Sequence, residues 1–231
     1  MCLKMRLASR FCPLVFLSFL SFASVAEAQH KDSDFGVWGS VTLKKQFVGG
    51  FSGSLNCEIR SDSNVSNIAL WWINPELKYK FNDYFTAEIG YRYSNVDRSD
   101  YYEQAHRWYT GGTAGVDWGP FRLTWRELIE QIYYTDRPEG SSGRVVSYLR
   151  TRLGIKLNVE NMPIDPYFDV ENFFHISDYR AGEVGIMRYT AGLRIPFGGG
   201  MHTLNIYYRY QQYFTSSPDD HILGLGYVLS L

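Results

Sequence analysis

Apolar and polar residues alternate along most of this chain with a period of two. In residues 145–159, one set of alternate positions includes Leu149 and Leu153, and the other set includes Arg150 and Arg152. Successive side chains of a β-strand point to opposite sides of the sheet, so this pattern predicts a strand with one apolar and one charged face. No helical period persists after the N-terminal segment, and we therefore predict an all-β fold.

The same alternation recurs in many other segments along the chain. Each is near the length that a tilted membrane strand requires. These segments are 35–47, 71–81, 85–93, 106–118, 121–134, 167–176, 184–197, 203–214 and 221–231.

The connections between these segments predict how the fold is oriented. Tight connections rich in turn residues alternate along the chain with longer polar ones. The tight set is 82–83, 119–120, 161–165 and 198–202, and the longer set is 96–102, 136–144, 177–183 and 215–220. Outer-membrane barrels have short periplasmic turns and longer extracellular loops. The final segment, 221–231, therefore runs inward, and its hydrophobic end resembles the signal by which barrel-assembly machinery recognises its clients.

The strand number depends on residues 51–60. There, Leu55 and Ile59 alternate with Glu58 and Arg60, and counting this segment gives eleven strands. Single-chain bacterial barrels have an even number of strands. Within a range of 10–12, we therefore expect ten strands if the segment belongs to an outer loop, or twelve if one more strand is present.

The N-terminal segment is typical of a secretory signal peptide, because a basic stretch is followed by an apolar one that ends in small residues. We predict that residues 1–28 are a cleaved signal peptide and that residues 29–231 form the barrel domain. A membrane anchor helix is the alternative. However, Pro13 interrupts the apolar stretch, which falls short of the roughly 20 apolar residues that a span needs. Cleavage would leave Cys57 without a disulfide partner in the chain.

Composition favours a membrane barrel. Aromatic residues make up 17% of the chain, which fits strands that face lipid on one side and water on the other. The formal net charge of −1 argues against nucleic acid as a partner. A soluble β-sandwich or a lipocalin-like barrel would instead turn the apolar face inward.

The export signal and the asymmetry of the connections favour a closed antiparallel transmembrane β-barrel in the outer membrane of a Gram-negative bacterium. The partners expected for such a protein are outer-membrane lipid, the barrel-assembly machinery during biogenesis and, within the lumen, small anionic solutes. Aromatic residues such as Trp71, Trp72 and Trp108 would form the girdles at the two membrane interfaces. Tyr148 and Tyr207 are expected to face inward.

Charged residues on the polar face of each strand would line the lumen, and basic residues predominate among them. The predicted lumen residues are Lys78, Arg92, Arg122, Arg126, Arg150, Arg152, Arg188, Arg194, Arg209, Glu88 and Glu171. One interpretation is a salt-bridged plug in a structural or interaction barrel, because a barrel of this size encloses little more than its own side chains. The other is a narrow channel whose excess of arginine favours anionic solutes. Neither interpretation involves catalysis.

An outer-membrane lipid ester hydrolase is the alternative function. His175 and Ser177 form a His-x-Ser element like that of outer-membrane phospholipases and lipid A deacylases, with a carboxylate, Glu171 or Asp169, on the same strand face to orient the histidine. Asp178 follows the serine where those families have asparagine, and the apolar neighbours of His175 turn it away from a lipid substrate. The other histidines lack metal-ligand spacing and no nucleotide fingerprint is present, so we expect neither a metal nor a cofactor.

Several short stretches resemble the domain-of-unknown-function family 2490. They are Phe35-Gly36-Val37-Trp38-Gly39-Ser40, Leu43-Lys44-Lys45, Glu58-Ile59-Arg60, Leu77-Lys78-Tyr79, Gly90-Tyr91-Arg92-Tyr93, Arg150-Thr151-Arg152 and Glu171-Asn172-Phe173-Phe174. Members of that family are common in Bacteroidetes-type bacteria and are regarded as outer-membrane barrels without an established activity. The resemblance covers most of the chain after the signal peptide. It implies location and fold, and because its motifs are strand patterns it transfers no functional residues.

Overall fold

The computed structural model describes residues 33–98, 100–135, 144–158, 163–177, 180–215 and 217–231. The signal peptide predicted for residues 1–28 lies outside the described residues, as do Asp178 and parts of the longer connections. Within the described ranges, no helix has the length and apolar character needed to cross a bilayer.

The described chain forms one closed barrel of eleven β-strands. In chain order they are β1 (Ser33–Gln46), β2 (Phe51–Asp62), β3 (Asn67–Lys80), β4 (Phe85–Asp97), β5 (Tyr102–Trp118), β6 (Phe121–Tyr134), β7 (Arg144–Leu157), β8 (Asp165–His175), β9 (Val184–Phe197), β10 (His202–Tyr213) and β11 (Asp219–Ser230). Each strand pairs antiparallel with its neighbour in sequence, and the ring closes where β1 pairs with β11 in parallel.

The prediction of a closed all-β barrel is confirmed, and eleven strands fall within the predicted range, but the preference for an even number was wrong. β2 is a full strand that pairs with both β1 and β3. An even number is required only when the closing pair is antiparallel. Here β1 and β11 run in the same direction, in register from Ser33 opposite Asp219 to Lys44 opposite Ser230. An odd number of alternating strands therefore closes the ring.

The two ends of the barrel differ in their connections. At one end, which we call the turn rim, residues 47–50, 81–84, 119–120, 158–164 and 198–201 connect the strands and β11 ends. At the other end, the loop rim, the connections are 63–66, 98–101, 135–143, 176–183 and 214–218, and β1 begins there. The connection predicted as long at 96–102 is only 98–101, as short as 47–50 and 81–84, so the difference in length between the rims comes mainly from 135–143 and 176–183. At the first tight turn, Gly49 and Gly50 have φ angles of 80° and 85°, a conformation that residues with a Cβ disfavour.

The two faces of the wall differ in chemistry. Apolar side chains on the outward face are solvent-accessible in the isolated chain, with Val41 57%, Ile89 53% and Leu225 52% exposed. The inward face instead buries polar side chains such as Glu88 and Glu130. This is the arrangement of a barrel that is surrounded by lipid, since a soluble barrel buries its apolar residues inside.

Candidate functional site

The predicted lumen residues all occupy inward-facing strand positions, opposite in alternation to the exposed apolar set. They are Lys78, Glu88, Arg92, Arg122, Arg126, Arg150, Arg152, Glu171, Arg188, Arg194 and Arg209. Tyr148 and Tyr207 share this inward face. The charged wall of the lumen therefore follows from the period-two alternation of the strands.

A belt of ion pairs crosses five neighbouring strands, from β5 to β9. Arg150 lies between two carboxylates, 2.8 Å from Glu130 and 2.8 Å from Glu171. The belt continues from Glu130 to Arg107 at 3.1 Å and from Glu171 to Arg188 at 3.6 Å. The side chains of Glu130, Glu171 and Arg150 are only 1%, 6% and 13% exposed. One side of the lumen wall therefore carries a continuous row of paired charges.

A second ionic cluster lies on β3 to β6, towards the turn rim. The guanidinium of Arg126 donates to Glu88 at 2.7 Å and 2.6 Å, in a bidentate geometry. Lys78 lies 3.0 Å from Glu76 and 3.5 Å from Glu88, and the hydroxyl of Tyr109 donates to Glu76 at 3.0 Å. These contacts hold this side of the wall together, because each buried carboxylate has a cationic partner.

Two tryptophans face the lumen and stack on arginines. The guanidinium carbon of Arg60 lies 3.2 Å from the ring centroid of Trp38 and 4.0 Å from that of Trp72, whose ring Arg92 also approaches at 4.0 Å. Cation–π contact stabilises an arginine that has lost water. The assignment of Trp72 to an outer girdle was wrong, because its position on β3 alternates with the outward Trp71.

Beneath the loop rim, the lumen opens into a cavity of about 420 Å³, which we call the vestibule. Its basic lining consists of Arg60, Arg92, Arg98, Arg107, Arg180 and Arg188, and the described residues that line it include no aspartate or glutamate. Aromatic side chains, among them Trp72, Tyr148 and Phe173, complete the wall. The vestibule therefore presents arginine and aromatic groups to a solute.

Of the six vestibule arginines, Arg92 is the one for which the described residues give no ion pair. The other five each have a carboxylate within 3.6 Å: the pairs are Arg60 with Glu58, Arg98 with Glu103, Arg107 with Glu130, Arg180 with Glu183 and Arg188 with Glu171. Arg92 and Arg107 are direct register partners on β4 and β5. The Nε of Arg92 donates to the neutral amide of Asn74 at 3.1 Å, whereas Arg107 shares Glu130 with Arg150. Like charges directly opposite each other on neighbouring strands repel. An anion between these two guanidinium groups would relieve that repulsion.

Sequence reasoning did not place three vestibule arginines. Arg98 and Arg180 lie in connections, where no periodic pattern indicates direction. Arg60 lies on β2, the segment whose status as a strand was left open. Its position in the alternation was the one signal that would have placed it in the lumen.

The remaining lumen arginines lie towards the turn rim. Arg122 lies 2.9 Å from Asp117, and Arg209 donates from its Nε to the hydroxyl of Thr190 at 2.9 Å. The guanidinium carbon of Arg194 lies 4.8 Å from the ring centroid of Tyr167. Arg126 and Arg152 are also direct register partners, on β6 and β7, and Arg126 is neutralised by Glu88.

The contacts among the described residues do not join His175, Ser177 and Glu171 into a catalytic triad. The Oγ of Ser177 accepts a hydrogen bond from the backbone N–H of Ser147 at 3.0 Å. The carboxylate of Glu171 is engaged by arginines, and the ring of His175 lies 4.6 Å from that of Tyr148. Among the described contacts, no hydrogen bond joins His175 to Ser177. The described residues also contain no group of metal-ligating side chains that could hold an ion.

The fold and the inward charges define an outer-membrane-type β-barrel with an ion-paired lumen. The chain matches the model of the family described as protein of unknown function, DUF2490, over residues 35–221. The match covers most of the chain, and this protein belongs to that family. The comparison with curated proteins found no match.

Several solved structures share the barrel fold at low sequence identity. The β domain of the Bordetella autotransporter BrkA is 12% identical, with a TM-score of 0.47 over 72% of this chain and 79% of that chain. The anion-selective porin from Comamonas acidovorans is 11% identical, with a TM-score of 0.40 over 78% of this chain and 53% of that one. LpxR from Salmonella typhimurium is 9% identical, with a TM-score of 0.43 and coverages of 77% and 84%. At these identities the similarity concerns the fold alone.

Proposed function

We propose that this protein is a non-catalytic outer-membrane barrel that captures small anionic solutes in the vestibule. The observation that carries this proposal is the register pair of Arg92 and Arg107 in a cavity lined by arginines and by no described carboxylate. A planar guanidinium offers paired donors that match carboxylate and phosphate oxygens. Binding of an anion would replace repulsion between the two arginines with two charge-assisted contacts.

Capture is favoured over free conduction by the belt of ion pairs below the vestibule. Glu130 and Glu171 are almost inaccessible, and each is contacted by two arginines. Breaking such a belt would leave buried charges without partners, which is costly. The solute would therefore be held at the loop rim instead of passing through an open lumen.

In this proposal, residues 1–28 direct export and the barrel-assembly machinery inserts the domain into the outer membrane of a Gram-negative, Bacteroidetes-type bacterium. Support comes from the exposed apolar face, which would contact outer-membrane lipid, and from the difference between the two rims. Short turns face the periplasm in such barrels. The vestibule would then open to the exterior, where solutes arrive.

The proposal is tested by calorimetric titration of the exported protein, purified in detergent at low ionic strength, with phosphate and with citrate. We expect saturable binding that is about ten-fold weaker in Arg92→Gln and in Arg107→Gln, because each loses one charge-assisted contact. Arg122→Gln, altered at the turn rim, is the matched control and should bind like the unchanged protein. Equal affinities for all four proteins, or no binding by any of them, would overturn the proposal.

A further inference from the structure

Arg92 is held in one orientation in the wall of the vestibule. Its Nε donates to the Oδ1 of Asn74 at 3.1 Å, and its guanidinium carbon lies 4.0 Å from the ring centroid of Trp72. Asn74 is fixed in turn, because its amide donates to the hydroxyl of Tyr109 at 2.9 Å. Among the described contacts, the two terminal amino groups of Arg92 make no hydrogen bond. They are therefore preorganised donors for an acceptor in the vestibule.

The charges around Arg92 favour a solute with a single negative charge. Arg92 is the one vestibule arginine without an ion pair to the described residues, whereas each of the others has a carboxylate partner. A carboxylate that accepts from both terminal amino groups would neutralise this one charge. A second negative charge on the solute would lose water without gaining an unpaired cation, which is unfavourable. The vestibule therefore matches a monoanion better than a polyanion.

Nearer the loop rim, the accessible wall of the vestibule is aromatic and apolar. Tyr134, Leu70 and Val96 line it, and all three are half-buried, so part of each side chain is open to a solute. Leu70 and Val96 are register partners on β3 and β4. Tyr134 follows Ile132, the register partner of Arg107, by two residues, a step of about 7 Å along the strand towards the loop rim. This wall would therefore cover an apolar group that lies on the loop-rim side of a bound carboxylate.

We propose that the solute captured in the vestibule is a small aromatic monocarboxylate. The inference rests on the proposed function, since it assigns the class of anion to the same site. The carboxylate accepts from the terminal amino groups of Arg92, and the ring joined to it extends towards the loop rim and packs against Tyr134. Two aromatic rings in offset or edge-to-face contact attract each other beyond the effect of buried area. Phosphate has no apolar surface to bury against this wall.

The test compares benzoate with acetate, which has the same charged group without the ring. The exported protein, in detergent at low ionic strength, is titrated calorimetrically with benzoate, acetate and phosphate. We expect benzoate to bind about ten-fold more tightly than acetate, because its ring is removed from water, and more tightly than phosphate.

The possible failures of this comparison are distinct. Equal affinities for benzoate and acetate, both weakened by Arg92→Gln, would refute the aromatic preference and leave anion capture intact. Phosphate binding more tightly than benzoate would also refute it. No binding of any of the three anions would overturn the proposed function itself.

Variants at position 134 locate the ring of the solute. In Tyr134→Ala we expect the ratio of benzoate to acetate affinity to fall by about three-fold or more, with acetate binding unchanged, whereas Tyr134→Phe should keep the ratio. Tyr133→Ala is the matched control, because Tyr133 is the neighbouring tyrosine, faces outward and is 47% exposed. Folding is checked from the heat-dependent mobility of each barrel on SDS gels. An undiminished ratio in Tyr134→Ala, an equal loss in Tyr133→Ala, or an equal loss in Tyr134→Phe would contradict the contact between the two rings.

Discussion

The phenol ring of Tyr109 lies over Gly90, its direct register partner on the neighbouring strand. A Cβ added at Gly90 would overlap atoms of this ring. The same arrangement occurs in two further inward pairs, Tyr207 with Gly224 and Tyr167 with Gly192. These glycines create the space in which tyrosine rings lie flat against the wall of a narrow lumen.

Gly90→Ala should therefore destabilise the barrel by about 1–3 kcal/mol, the usual cost of overpacking. The added methyl group displaces the ring of Tyr109, whose hydroxyl lies 3.0 Å from Glu76 and 2.9 Å from the amide of Asn74. Urea unfolding in lipid vesicles measures the loss. Gly39→Ala is the control, because its Cβ would meet Ile59 at an ordinary 3.6 Å. Equal losses in the two variants would contradict the role of the tyrosine–glycine pair.

Arg150 is the central cation of the ion-pair belt, and its replacement should be among the most damaging in the lumen. In Arg150→Met, Glu130 and Glu171 lose the guanidinium that they share. Removing one partner of a buried ion pair destabilises a protein by about 3–5 kcal/mol. Arg122→Met removes a pair whose side chains are 34% and 64% exposed, and exposed pairs contribute less than about 1 kcal/mol. Unfolding free energies compare the two variants. A loss in Arg150→Met no greater than in Arg122→Met would show that the belt does not stabilise the barrel.

Asp83, in the turn between β3 and β4, should titrate below the usual range of an aspartate. The Nζ of Lys80 donates to its carboxylate at 2.6 Å, and this hydrogen bond and the charge of Lys80 lower the pKa of Asp83. Because the pKa is lower in the folded state, the contribution to stability is present above the unfolded pKa and is lost as pH falls through the folded one. NMR titration of the Asp83 carboxyl measures this directly. Lys80→Met should return the pKa to the usual range, and an unchanged value in that variant would rule out the pairing.

The alternation of each strand predicted which side chains enter the lumen, because the direction of a side chain is a local property of the backbone. The pairing of Arg150 with two particular carboxylates was not predictable, because it depends on the register between β6, β7 and β8. The pairing that closes the barrel could not be predicted from the local sequence pattern either. Nothing in the alternation of β1 indicates that it pairs in parallel with β11. Because an even number of strands is expected for an antiparallel ring, residues 51–60 could not be assigned as a strand from sequence, and the direction of Arg60 was not predicted.

Tandem aromatic residues illustrate a second limit. Trp71 and Trp72 together suggest an interface girdle by composition, yet neighbours on a strand must point to opposite faces. The structure has Trp71 outward and Trp72 against Arg60 and Arg92. Alternation was the stronger signal here, since it follows from backbone geometry while the girdle is a statistical preference.

Trp38 is buried in the lumen against three arginines, and we expect its replacement by alanine to open a path for ions. Its ring is 5% exposed and lies 3.2 Å, 5.0 Å and 5.7 Å from the guanidinium carbons of Arg60, Arg209 and Arg188. In planar bilayers we expect no steady conductance from the unchanged protein and an ohmic conductance from Trp38→Ala. The reversal potential in a salt gradient should indicate anion preference, because fixed arginine charge remains along the path. Trp71→Ala, which removes an outward tryptophan, should stay closed. A conducting unchanged protein would contradict the plug, and cation preference in Trp38→Ala would contradict the excess of arginine as the source of selectivity.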